Sequence, residues 1–194
     1  MSYDITKRDG LIQIVNTDPI TDLGAPSVST VSAKHIAFGP FVQTTLTLTD
    51  VAQTVVNGTE YQGTKIYDFP ECRMNVLGVT ATLQQTTTSE LATTLNASST
   101  GAIGLGTATA SATTLATTMV DFLPSTAFTS SATINVAGTA VSAALAADAQ
   151  FDGTTTAKDL YLNTAYATTA DVDGDATQTI SGTVVVTWFS LGDY

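Results

Sequence analysis

One histidine and one cysteine bound the chemistry open to this 194-residue chain. His35 stands in the run VSAKHIAFGPF. A hydrolase triad needs a histidine base beside a serine on a strained turn, and no G-x-S-x-G segment occurs in the chain. His35 is therefore read as a strand-face residue next to Lys34. Cys72 follows Glu71, whose charge raises a thiol pKa instead of lowering it. Cys72 is read as a small packed hydrophobe. A single His and a single Cys also exclude a two-histidine or His/Cys metal cluster, and an internal disulfide.

The carboxylates are scattered through turn-like segments. A glycosidase places two of them on rigid elements flanking a cleft, and the aromatic side chains that line sugar sites make up only 7% of this chain. The sharpest local motif is Asp171-Val172-Asp173-Gly174-Asp175. Oxygen ligands at alternate positions suit Ca²⁺. An EF-hand loop, however, wants Gly at its sixth position and Glu at its twelfth; here Gly is fourth and Gly182 is twelfth. The segment is read as a polar turn feeding a strand from Thr177 to Trp188, with a structural Ca²⁺ at Asp171, Asp173 and Asp175 left open. Gly101 to Gly106, GAIGLG, has the glycines of a phosphate loop. It lacks both the strand-to-helix setting and the Lys-Ser/Thr that such loops require. The sequons at Asn57 and Asn96 are expected by chance in a Thr/Ser-rich chain. The reading is of no enzyme, no cofactor and no catalytic set.

The elements that would hold these residues are strands. Val42, Thr44, Leu46 and Leu48 fall on one face of a period-two run, with Gln43, Thr45, Thr47 and Thr49 on the other. Leu77, Val79, Ala81 and Leu83 form a second inward row, with Thr80, Thr82 and Gln84 outward. Ile180, Val184, Val186 and Trp188 form a third, broken by Gly182. One wet face per sheet marks antiparallel pairing. Asn57-Gly58 is the best short hairpin signal. Gly39-Pro40 bends or separates strands, and Phe69-Pro70-Glu71 precedes a long strand from Arg73 to Gln85. Asp152-Gly153 and Asp173-Gly174 read as surface turns.

Residues 86 to 149 are almost free of charge. Ser89 to Leu95 and Ala140 to Ala149 are expected as short helices, the second because AVSAALAADAQ is rich in helix formers. Gly104 to Ala112 is expected as a flat small-residue strand that needs a neighbouring chain or a covering loop. The expected architecture is mainly β: eight to ten strands, short helices and long loops in one antiparallel β-sandwich, jelly-roll or Greek-key-like. It spans 1–194, with 1–30 as an extended N-terminal arm.

Composition narrows the partners. Six Lys+Arg against 17 Asp+Glu give a net charge of −11. That balance argues against nucleic acid and against an anionic membrane surface. Thr (39 residues) and Ala (26) make up a third of the chain, and charged residues only 12%. With 43% apolar residues the chain is nonetheless too hydrophobic to be disordered. No run reaches the length of a transmembrane helix, and the polar start MSYDITKRDG has no apolar core of a secretion signal, so synthesis in the cytoplasm is expected.

The C-terminal run FDGTTTAKDLYLNTAYATTADVDGDATQTISGTVVVTWFSLGDY resembles the end of small structural proteins of tailed bacteriophages. The shared features are Asp152-Gly153-Thr154, a strand Asp159 to Asn163, the acidic turn Asp171 to Asp175, a strand Ile180 to Trp188, and a close at Leu191 to Asp193. KIYDFPECRMNVLGVTATL and GLGTATASATTLATTMVDFLPSTA are similar to the same group, so the resemblance covers residues 64–194. It implies a virion component of the head: a decoration or cement protein on the capsid surface, made in the bacterial host cytoplasm. Its partners would be the major capsid protein and copies of itself, a trimer first. One alternative is a carbohydrate-binding or adhesive β-sandwich of a head fibre or tail, using Trp188, Tyr161, Tyr166 and Tyr194, although Trp188 ends an apolar row and is expected in the core. Another is the shell-forming capsid subunit, against which stands the lack of any run suited to a long helix.

Overall fold

The structure is a computed structural model of the chain and describes residues 3–8, 11–16, 22–86, 100–129, 141–144, 149–167, 172 and 174–192. In chain order the strands are β1 (Tyr3–Arg8), β2 (Leu11–Asn16), β3 (Ala25–Pro26), β4 (Val31–Phe38), β5 (Phe41–Val55), β6 (Tyr61–Asp68) and β7 (Arg73–Thr86). They continue with β8 (Thr100–Gly106), β9 (Leu123–Thr129), β10 (Val141–Ala144), β11 (Ala149–Asp152), β12 (Asp159–Tyr166) and β13 (Ala176–Gly192). Among the described residues the one helical element is a 3-10 turn, Thr117–Met119.

β1 and β2 pair with each other, from Tyr3↔Asn16 to Arg8↔Leu11. The other strands form an antiparallel β-sandwich. The larger sheet runs β10-β7-β13-β5-β4, with β11 also on β7; the smaller runs β3-β6-β12-β8-β9. The order is not a meander: β13 enters between β5 and β7, and β12 between β6 and β8. The last two strands are thus central, which explains why Leu160, Leu162, Ile180, Val184, Val186 and Trp188 are all fully buried. The arm expected over 1–30 contains the β1–β2 pair and, from Ala25, a short strand of the smaller sheet.

Period two builds the core. Val42, Thr44, Leu46 and Leu48 are buried while Gln43, Thr47 and Thr49 are exposed, so each apolar side chain leaves water for a gain of roughly 1.5–3 kcal/mol. At one end of the core, Phe69 stacks on Phe122 (ring centroids 5.5 Å apart) and meets Tyr67 and Trp188 edge-on (5.0 and 5.9 Å).

Two of the bulges set side-chain directions on β5 and β7. On β5, Thr49 and Asp50 stand opposite the single Ser181, because Leu48 pairs with Gly182 and Val51 with Ile180. Both Leu48 and Val51 therefore point inward. Asp50 takes a positive φ of 51°. Its N–H donates to Ser181 Oγ (2.9 Å), whose hydroxyl donates to Asp50 Oδ1 (3.0 Å). Gly182 is needed opposite this bulge: a Cβ there would lie 2.1 Å from the Thr82 carbonyl oxygen. On β7, Val76 pairs with Trp188 and Gly78 with Thr187, leaving Leu77 as the extra residue. Leu77, expected inward, is instead exposed, because the bulge inverts the parity at that point.

Other local expectations are corrected in the same way. Gly39-Pro40 does join β4 to β5, with Phe38 opposite Phe41 and Gly39 at φ 58°. Asn57-Gly58 is a turn, closed by Thr59 N–H to Val56 O (3.1 Å), but not a hairpin turn. It carries the chain from β5 in one sheet to β6 in the other. In the segment expected as a helix over Ala140 to Ala149, Val141–Ala144 pairs with Leu83 to Thr80, and Ala149 opens β11. A free edge of β7 offers ladder hydrogen bonds that outweigh the helix propensity of alanine, which is the highest of any residue but worth less than about 1 kcal/mol per position. The flat strand expected at Gly104 to Ala112 lies earlier, at Thr100–Gly106. The helix expected at Ser89 to Leu95 lies outside the described residues.

Candidate functional site

Each chemistry-bearing residue has a structural setting. His35, on β4, is half-buried, and burial lowers its pKa. Its Nδ1 lies 3.1 Å from Thr44 Oγ1, which accepts the Trp188 indole N–H at 3.0 Å. Cys72 is buried at the entry to β7, and its carbonyl accepts the Gly153 N–H. Of the calcium candidates, Asp171 and Asp173 lie outside the described residues. Asp175 Oδ1 accepts the Asn57 N–H at 2.9 Å and so ties the β12–β13 connection to the β5–β6 turn. Among the described residues no three His, Cys, Asp or Glu side chains gather as metal ligands.

Of the aromatics considered for sugar binding, Trp188 and Tyr166 are fully buried. Tyr161 is half-buried and donates to Asp159 Oδ2 (3.2 Å); Tyr194 lies outside the described residues. Asp159 also takes the ammonium of Lys65 (2.7 Å), which reaches Asp68 as well (3.2 Å). The hydrogen bond to Asp159 raises the Lys65 pKa. Burial opposes ionisation of Asp159, but Lys65 holds its carboxyl below the ordinary value.

Between the sheets runs a polar relay. Gln53 Nε2 donates to the Leu162 carbonyl (2.8 Å), and Thr164 Oγ1 donates to Gln53 Oε1 (2.7 Å). Gln178 Nε2 donates to Thr164 Oγ1 (2.9 Å), while Gln178 Oε1 accepts from Tyr166 and from Gln85 Nε2 (both 2.8 Å). All five side chains are buried. The relay links β5, β7, β12 and β13, so a slip of any one strand would strand buried amides without partners.

What distinguishes the molecule's surfaces is the treatment of its two outer sheet faces. Residues 107–122, between β8 and β9, fold over the smaller sheet. Asn163 of β12 anchors them: its Nδ2 donates to the carbonyls of Ala108 (2.9 Å) and Met119 (2.8 Å), and its Oδ1 accepts the Ala110 N–H (2.8 Å). Asp121 closes the base of the segment by accepting from Thr107 N–H (2.8 Å) and Oγ1–H (2.7 Å). Burial raises the Asp121 pKa against these bonds. Beneath, Ala110, Leu115, Met119 and Ala165 form a satellite apolar cluster. Gly104 and Gly106 of GAIGLG serve this contact: a Cβ on Gly104 would lie 2.6 Å from Val120 Cγ1, and one on Gly106 2.2 Å from Thr118 O and 2.3 Å from the Met119 carbonyl carbon. Of the strand expected over Gly104 to Ala112, only Gly104 to Gly106 is strand, and residues 107–112 belong instead to the segment that covers the sheet.

The outer face of the larger sheet is bare among the described residues. Cross-strand rows Lys34-Thr45-Val185-Thr80 and Ser32-Thr47-Thr183-Thr82 run across β4, β5, β13 and β7. At one end Phe38, Phe41 and Phe189 align, and Phe41 meets Phe189 edge-on at 4.7 Å. Phe38 is 65% exposed, Ile36 61%, Leu77 51% and Phe41 48%. The sequence reading missed this apolar end. Its signal was a phenylalanine on either side of Gly39-Pro40, with a third, Phe189, following Trp188 at opposite parity.

No family model, no curated protein and no solved structure matches this chain in comparisons with all three.

Proposed function

We propose that this is a non-enzymatic assembly protein, a decoration or cement protein that binds the outer surface of a bacteriophage capsid and stabilises the shell. The observation that carries the reading is the bare, charge-poor outer face of the larger sheet, next to an opposite face that the chain seals with its own residues 107–122. A rigid sandwich that leaves one broad Thr-rich face with an apolar end uncovered suits repeated protein contacts better than capture of a small ligand. The polar relay supports this, since it fixes strand register in a chain whose Thr- and Ala-rich strands specify register weakly. The resemblance of residues 64–194 to small structural proteins of tailed bacteriophages supplies the context, capsid protein and further copies of this chain as partners, and the net charge of −11 argues against nucleic acid and an anionic membrane.

The test is a cryo-EM reconstruction of purified particles, with the chain identified by mass spectrometry. Symmetric density outside a complete shell is the expected result. Particles that lack the chain, or a shell that fails to form without it, would overturn the decoration role.

A further inference from the structure

The bare face is distinguished by where charge is missing. The chain carries −11 overall, yet β4, β5, β7 and β13 together contain a single acidic residue, Asp50, at the far end from the phenylalanines. The same four strands hold Lys34 and Arg73. At the flank, Asp152 of β11 is neutralised by Arg73 at 3.0 Å.

Two copies of a −11 chain repel through most surfaces they could share, because like charges brought together cost free energy. Across the part of this face from the phenylalanine end to the Thr47 row, which leaves Asp50 outside, they can approach without opposing carboxylates. The apolar end restricts the occupant further. Among the described residues five large hydrophobic residues are exposed; Ile36, Phe38, Phe41 and Leu77 lie here, and Val56 lies elsewhere. The matching apolar surface among the described residues is therefore the same face of another copy.

We infer that the outer face of the larger sheet is a twofold self-association surface, packing face to face on a second copy of this chain. A twofold axis along the strands sets phenylalanine end on phenylalanine end and Thr rows on Thr rows, as a self-complementary interface requires. Four strands about 4.8 Å apart, each about eight residues long, present a planar footprint on the order of 500 Å² per copy, so the pair reaches the roughly 1,000 Å² total that a specific interface needs. The pairing is twofold where the resemblance to phage structural proteins implied a trimer. It rests on the assembly reading only in treating this face as a contact surface. It is decided in solution, whereas the capsid role is decided on particles.

The experiment is sedimentation equilibrium of the full chain at low and high salt, with Thr47→Glu on the face and Ser125→Glu, exposed on β9, as the control. The wild type is expected at twice its 20.0 kDa. Pairing should tighten as salt screens the net charge. Thr47→Glu should weaken it at least tenfold, since its carboxylate enters an acid-free contact near its counterpart, while Ser125→Glu leaves it unchanged. A wild-type monomer at all concentrations overturns the inference and assigns the face to a different partner. So does a dimer that Thr47→Glu leaves intact, or one that salt dissociates.

Discussion

The two outer faces of the sandwich meet water in opposite ways. The smaller sheet hides its face under residues 107–122, through a buried asparagine, a satellite apolar cluster and glycines that let backbone lie on backbone. The larger sheet leaves rows of Thr and an apolar end exposed. Both faces are built from β-branched and small residues, so composition alone does not separate them. The separation comes from one side chain, Asn163, that binds three backbone groups of residues 107–122 at once.

The contrast can be broken most strongly at that anchor. Asn163→Ala leaves the buried Met119 carbonyl, the part-buried Ala108 carbonyl and the buried Ala110 N–H without their partner, which should cost about 3 kcal/mol. Denaturant unfolding would measure it, and hydrogen exchange should show amide protection of residues 107–122 falling before that of β13. A uniform loss across both sheets would show that the covering segment and the sandwich are one cooperative unit.

A smaller effect is expected from pH at the base of the same segment. Burial raises the folded-state pKa of Asp121 above 3.8. The folded chain therefore holds this proton more tightly than the unfolded chain does. The stabilisation is fully present below 3.8 and is lost as pH rises through the folded pKa. Protection of residues 107–122, corrected for intrinsic exchange, should thus increase as pH falls from neutral toward 3.8 in the wild type. In Asp121→Asn that increase should shrink. An unchanged profile would assign the pH dependence to another group.

The smallest effect belongs to the bare face. Phe41→Ser removes a half-exposed ring from the apolar end, and under monomeric conditions it should change unfolding free energy by no more than about 1 kcal/mol. A larger loss would mean that the phenylalanine row supports the sheet itself.

How much of this was legible beforehand depends on the reach of each cause. The inward rows of β5 and β13, the core position of Trp188 and the antiparallel β-sandwich follow from period two, and the strand break at Gly39-Pro40 from turn chemistry, both properties of neighbouring residues. Leu77 did not follow, because its direction depends on a bulge set against β13. Val141–Ala144 did not follow, because a helix-forming segment met an unpaired strand edge. The burial of Gln53, Gln85 and Gln178 left no local signal; each amide became tolerable inside because the others and Thr164 were brought to it from strands far apart in the chain.

The sequence by itself determined the class of this protein: Thr- and Val-rich alternation buries one side of each strand whatever the strand order. It also determined the acidity of the chain and its single histidine and cysteine. Tertiary structure alone decided which outer face was sealed and which stayed open. That outcome turns on Asn163 meeting the carbonyls of Ala108 and Met119, groups 55 and 44 residues away, and such meetings exist only once the two sheets have closed on their common core.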